Sequence, residues 1–144
     1  MSRSKSITSV LALTLFVLFI LLFAGSVQAK RLYKERVYQD IWCDQMRGDS
    51  EVRLSDGTRA DCLMGHYAVE VDFADKWAES VGQSLHYSSM TGLMPGILLI
   101  LEDNDRDAKY LQRLRDTIDI QCLKIRVWLI RPDAVRQELE EQAF

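Results

Sequence analysis

This 144-residue sequence predicts an α/β domain in which a mixed sheet carries helices on both sides. Three observations predict it. Two short strand-like runs flank Ser55-Asp56-Gly57-Thr58, a strong hairpin-turn signal. The run Gly96-Ile-Leu-Leu-Ile-Leu101 is apolar throughout, as a strand buried on both faces is. Around it, strands alternate with segments of helical period, which indicates a sheet covered on two sides.

The elements follow in order. Lys30 to Met46 has helical character, with Leu32, Val37, Ile41 and Met46 spaced along it, and Gly48-Asp49-Ser50 stops it. Glu51 to Leu54 and Arg59 to Met64 are the two arms of the hairpin. After Gly65-His66, Tyr67 to Phe73 alternates: Tyr67, Val69, Val71 and Phe73 on one face, Ala68, Glu70 and Asp72 on the other. Ala74 to Thr91 has helical period and is closed by Gly92 and Pro95. The strand 96–102 comes next, and Asp103-Asn104-Asp105 can cap a helix over about 106–120, striped by Ala108, Leu111, Leu114 and Ile118. Leu123 to Ile130 reads as a last core strand, and Pro132 can open a C-terminal helix. The predicted order is α-β-β-β-α-β-α-β-α.

The first 29 residues differ in kind. Arg3 and Lys5 precede an uncharged apolar stretch from Ile7 to Ala24, followed by Gly25-Ser26-Val27-Gln28-Ala29. That pattern predicts a secretory signal cut after Ala29. The apolar stretch also approaches the roughly 18 residues of a membrane span, so an uncleaved N-terminal anchor is the alternative. Either way the domain 30–144 is expected outside the cytoplasm, periplasmic or secreted, with a membrane partner only if the anchor is retained. Without Arg3 and Lys5 the chain keeps 16 basic residues against 21 acidic, a net charge of about −5. Such a balance argues against strong non-specific binding to nucleic acid, which draws on cations.

Cys43, Cys62 and Cys122 are the only cysteines, and their spacing fits no zinc pattern. In an oxidising compartment two of them would pair, and Cys43–Cys62 is the favoured pair because both lie near the start of the fold. His66 and His86 are isolated and read as a loop contact and a surface residue. Trp42, Trp77 and Trp128 sit in apolar context and read as core. Arg106, Lys109, Arg113 and Arg115 are interleaved with acids and read as a solvated face.

The residues with the most chemical content are Asp61, Glu70 and Asp72. Acids seldom line a central strand unless they are paired or metal-bound. Carboxylates held on adjacent strands offer a rigid platform for Mg²⁺, which neutralises phosphate charge and activates water. On the helix that follows, Lys76, Ser80, Gln83 and Tyr87 fall within about 60° of one another. Ala74, Trp77, Ala78, Val81 and Leu85 form a separate arc, expected to pack on the sheet.

With Asp61 on the second strand, Glu70 on the third and this element order, the chain over 31–102 resembles the PD-(D/E)xK, or restriction endonuclease-like, nuclease superfamily. Gln83-x-x-x-Tyr87 is similar to the QxxxY motif of its RecB-like branch. The resemblance implies an αβββαβ core with an appended α-β-α. It further implies an exported nuclease that hydrolyses phosphodiester bonds of DNA with Mg²⁺ or Mn²⁺. Asp61 and Glu70 would be the metal ligands, with Glu51 and Asp72 as accessory acids. Gln83 and Tyr87 would lie beside the nucleic acid. Asp72 stands where the motif has its lysine, and Lys76 is the candidate for that role, as in members whose lysine has moved to the following helix. The displaced lysine, the acidic charge and the export segment also support an alternative: an inert nuclease scaffold that binds a partner in the cell envelope.

Overall fold

The computed structural model describes residues 30–143; the expected export segment, 1–29, lies outside them. From Arg31 onward the chain forms one unit. Its elements are α1 (Glu35–Gln45), β1 (Asp49–Arg53), β2 (Arg59–Met64), β3 (Tyr67–Phe73), a 3₁₀ turn (Ala74–Lys76), α2 (Trp77–Thr91), β4 (Met94–Ile100), α3 (Asn104–Ile120), β5 (Arg126–Ile130) and α4 (Pro132–Glu141).

The five strands lie in sequence order. Tight turns make β1–β2 and β2–β3 antiparallel, while the helical crossovers α2 and α3 make β3–β4 and β4–β5 parallel. The sheet is thus mixed and flanked by helices. Among the described residues no helix is long and apolar enough to cross a membrane.

Two apolar layers sandwich the sheet. Val69, Val71 and Phe73 of β3 pack with Leu98 and Ile100 of β4 beneath Tyr38, Trp42 and Cys43 of α1 and Val135 of α4. On the opposite face Ile97, Leu99 and Leu101 pack with Leu114 of α3. Ile97 to Ile100 are fully buried, each contributing roughly 1.5–3 kcal/mol of burial. Trp42 lies in the core, and Trp77 and Trp128 are packed against it. A disulfide joins Cys43 of α1 to Cys62 of β2, with Cα atoms 5.9 Å apart. Gly48 lies against this bridge, so a β-carbon there would come within 2.6 Å of the Cys62 sulfur.

The face of α2 that meets the sheet differs from the one its apolar arc predicts. Ser80, Ser84 and Tyr87 are buried, whereas Leu85 is 38% exposed and Ala78 lies outside the core. Apolar periodicity assumes an apolar sheet beneath the helix, but here the sheet offers Glu70 and Asp72, both 3% exposed. The serine hydroxyls donate to nearby carbonyls, Ser80 to Lys76 of the preceding turn and Ser84 to Val81 of its own helix, so burying them leaves no polar atom unpaired. Trp77 and Val81 complete the contact from the edge of the arc.

Candidate active site

Asp61 sits where the antiparallel sheet comes apart. The β2–β3 ladder runs from Met64↔Tyr67 to Cys62↔Val69 and stops. Beyond it the N–H of Val71 donates to Asp61 Oδ2 at 2.8 Å, a side chain standing in for a strand carbonyl. Residues two apart on a strand normally share a face. Yet Cys62 is bonded to Cys43 of α1, whereas Ala60 packs with Ala68 and Tyr87 of α2. The alternation of β2 therefore breaks at Asp61.

On the other side, the β1–β2 ladder passes over Glu51 and Asp61 between Ser50↔Cys62 and Val52↔Ala60. Glu51 has φ +56°, a left-handed backbone that costs roughly 1–2 kcal/mol for a residue with a side chain. Buried Gln39 of α1 holds the irregularity together. Its Nε2 donates to Glu51 Oε1 and to the carbonyl of Asp61, at 2.9 Å each.

Five ionisable groups from four elements gather around this break. Asp61 comes from β2, Glu70 and Asp72 from β3, Lys76 from the 3₁₀ turn, and Glu35 from the first turn of α1. Glu70 faces Asp61 and the Tyr87 hydroxyl, and its Oε2 is buried without a hydrogen-bond partner. Two carboxylates have no hydrogen between them, so the pair is bonded only when one holds a proton. Burial, then the charge of Asp61, pushes Glu70 from 4.5 up to about 9. Burial raises Asp61 as well, against the lowering pull of the Val71 N–H.

Glu35 faces Asp72, and burial followed by that contact raises it to about 8. Lys76 Nζ lies 3.2 Å from Asp72 Oδ1 and 3.8 Å from Glu35 Oε2. Partial burial works against its charge, but the two acids outweigh it and hold Lys76 above its ordinary value. Asp72 also accepts from the Phe73 N–H at 2.8 Å through Oδ1. The Tyr87 hydroxyl, 3.3 Å from Gln83 Oε1, is made a weaker acid by burial and by the charge of Glu70. Gln83 itself is exposed at the rim.

Of the residues singled out from sequence, Asp61, Glu70, Asp72, Lys76 and Tyr87 come together. Glu51 lies near enough for its charge to raise Asp61 and Tyr87, but its own carboxylate is taken up by Gln39, by Arg36 at 3.0 Å and by Arg59 at 2.9 Å, which hold it below the usual carboxylate range. Glu35 was missed. The signal was its place in the first turn of a helix, where an acid ordinarily complements the dipole and attracts no further notice. His86 contacts Asp56 of the hairpin turn at 2.8 Å.

No family model matches the chain, and no curated protein or solved structure does either.

The donors suit a hard cation, being carboxylate oxygens only. The unpartnered Glu70 oxygen and the raised proton affinities of Glu70 and Glu35 mark a site with too much negative charge for one ammonium. The acids stand as two pairs, and among the described residues no three potential ligands are grouped closely enough to hold a metal ion. Capture of a cation by Asp61 and Glu70 with a third acid therefore requires a side chain to turn.

Proposed function

We propose that the domain is a metal-dependent nuclease that hydrolyses phosphodiester bonds of DNA on a restriction endonuclease-like αβββαβ core. One observation carries this reading: a buried carboxylate oxygen of Glu70 lacks a partner beside Asp61, next to the second acid pair of Glu35 and Asp72 with Lys76. Asp61 and Glu70 would hold Mg²⁺ or Mn²⁺, with Asp72 and Glu35 as accessory acids. When bound, such a cation supplies Lewis acidity toward a phosphoryl oxygen and toward water.

The chain's own residues supply the rest. The Lys76 ammonium, nearly half exposed, orients the attacking water and stabilises charge that builds on the phosphate. Gln83 and Tyr87 hold the strand beside the acids. Helix α2 closes one side of the site, so the reacting phosphate enters from where β2 and β3 part. The test is to incubate the protein with plasmid, linear duplex, single-stranded DNA and RNA, with and without Mg²⁺ or Mn²⁺, beside Glu70→Ala. Metal-dependent cutting that the variant loses is expected; equal activity in both sinks the assignment.

The pairing of the acids and the ion pairs of Lys76 favour a second reading, an inert scaffold that binds a cell-envelope partner. Calorimetry showing no Mg²⁺ or Mn²⁺ uptake, together with no cleavage of any nucleic acid, selects it.

A further inference from the structure

The β1–β2 hairpin carries an arrangement that the acids do not explain. Arg53 and Arg59 are directly opposite one another across the ladder, a like-charge pairing that destabilises a sheet in isolation. Together with Glu51 and Gly57 they line an open cleft of about 440 Å³. Arg59 is bound to Glu51 on one side, while Arg53 makes no ion pair among the described residues. Gly57 has φ +90°, the left-handed backbone that favours glycine, and sits about 4.0 Å from the Arg53 guanidinium, measured from where a β-carbon would be.

Charge runs the same way. Arg36 and Arg59 share the Glu51 carboxylate and Arg36 also holds Asp40, which leaves the Arg53 guanidinium as the cleft's cation without a carboxylate partner among the described residues, in a chain that is acidic as a whole. The cleft is tied to the strand that carries Asp61. Gln39 spans from the Glu51 carboxylate to the main-chain carbonyl of Asp61, so a single amide links the cleft wall to the strand break. Guanidinium forks match phosphate oxygens in pairs, which ammonium groups do not.

We infer that Arg53 and Arg59 form a phosphate subsite that grips a phosphodiester of the nucleic-acid strand next to the one lying over Asp61 and Glu70. This rests on the nuclease reading and adds to it where the strand runs: from the acids outward along the hairpin.

The test is fluorescence anisotropy of the full chain with a labelled 15-nucleotide single-stranded DNA, in Ca²⁺ to neutralise the acids, across a range of salt. Arg53→Glu is expected to weaken binding at least tenfold. Arg53→Ala should lower the salt slope by about 0.7, the value for one contact on a single strand, and Arg53→Lys should keep most of the affinity. Arg113→Glu on α3 is the control and should bind as wild type does. Calorimetric Mn²⁺ affinity should stay close to wild type in Arg53→Lys, which keeps the charge at this exposed position. Wild-type binding that Arg53→Glu leaves intact, or that Arg113→Glu weakens equally, overturns the subsite alone. A wild-type chain that binds no nucleic acid overturns the nuclease reading with it.

Discussion

The side-chain amide of Gln39 reaches the main-chain carbonyl of Asp61 at 2.9 Å while its other hydrogen goes to Glu51. It thereby fastens α1 to the one point where β2 changes face. Gln39 is 3% exposed, so no water stands ready to replace it. Gln39→Leu leaves a carbonyl and a carboxylate short of a donor, and should cost about 2–3 kcal/mol. Urea denaturation measures this; a loss under 0.5 kcal/mol would show that the strand break does not depend on the amide.

Stability should fall as pH rises. Glu35 and Glu70 have folded values of about 8 and about 9 against 4.5, so the native state binds more protons than the unfolded state between these limits. Their contribution is fully present below about pH 4.5 and is lost as pH climbs through 8 to 9. Thermal melts from pH 5 to pH 9 should show a declining Tm, and saturating Mn²⁺ should flatten the decline. A Tm that rises over this interval contradicts the crowding of the acids.

Cation binding should release protons. At pH 7 both raised acids hold a proton, and ligating oxygens must give theirs up. Calorimetric titration with Mn²⁺ in buffers of different ionisation enthalpy should report release of about two protons. Glu70→Gln should reduce the release by about one and weaken binding at least tenfold. Heats identical across buffers would sink the idea.

Glu70→Gln should also separate stability from activity. An amide at this position removes the buried charge that grows with pH, so the variant should melt higher than wild type at pH 8. It should cut DNA at least a thousandfold more slowly, a cost typical of sites that keep strained charge for function. A variant that melts lower and cuts normally would place the chemistry elsewhere.

Reduction of the Cys43–Cys62 bridge opens a loop of 19 residues' separation and should cost about 3 kcal/mol by loop entropy. Gly48→Ala should be destabilising for a different reason, since its β-carbon meets both sulfurs, at 2.6 and 2.9 Å. Denaturation curves with and without reductant distinguish the two. The glycine variant should regain part of its deficit once the bridge is opened.

The element order was legible because each boundary carried its own chemistry. Asp56-Gly57 turned the hairpin, Gly92 took the left-handed cap of α2 at φ +72°, and Asp103 accepted from the Arg106 N–H. Asp61, Glu70 and Asp72 stood out because acids are conspicuous on strands that are otherwise apolar. Three features were not legible. Ser80 and Ser84 look like surface residues until a polar sheet face is placed beneath them. The role of Glu35 depends on a helix from elsewhere in the chain ending at the same break. Glu51 looks like an accessory acid, because nothing local announces its left-handed backbone or the two arginines that claim it.

Cys62 is the immediate neighbour of Asp61, so the covalent tie that secures α1 to β2 also braces the acid from which the site is built. The tautness of that site is therefore linked to the redox state of the surroundings. In a thiol-rich medium the chain would fold with its acids less firmly seated, and in an oxidising one it would tighten. For the nuclease proposed above, a thiol-rich medium is therefore where cutting would be weakest.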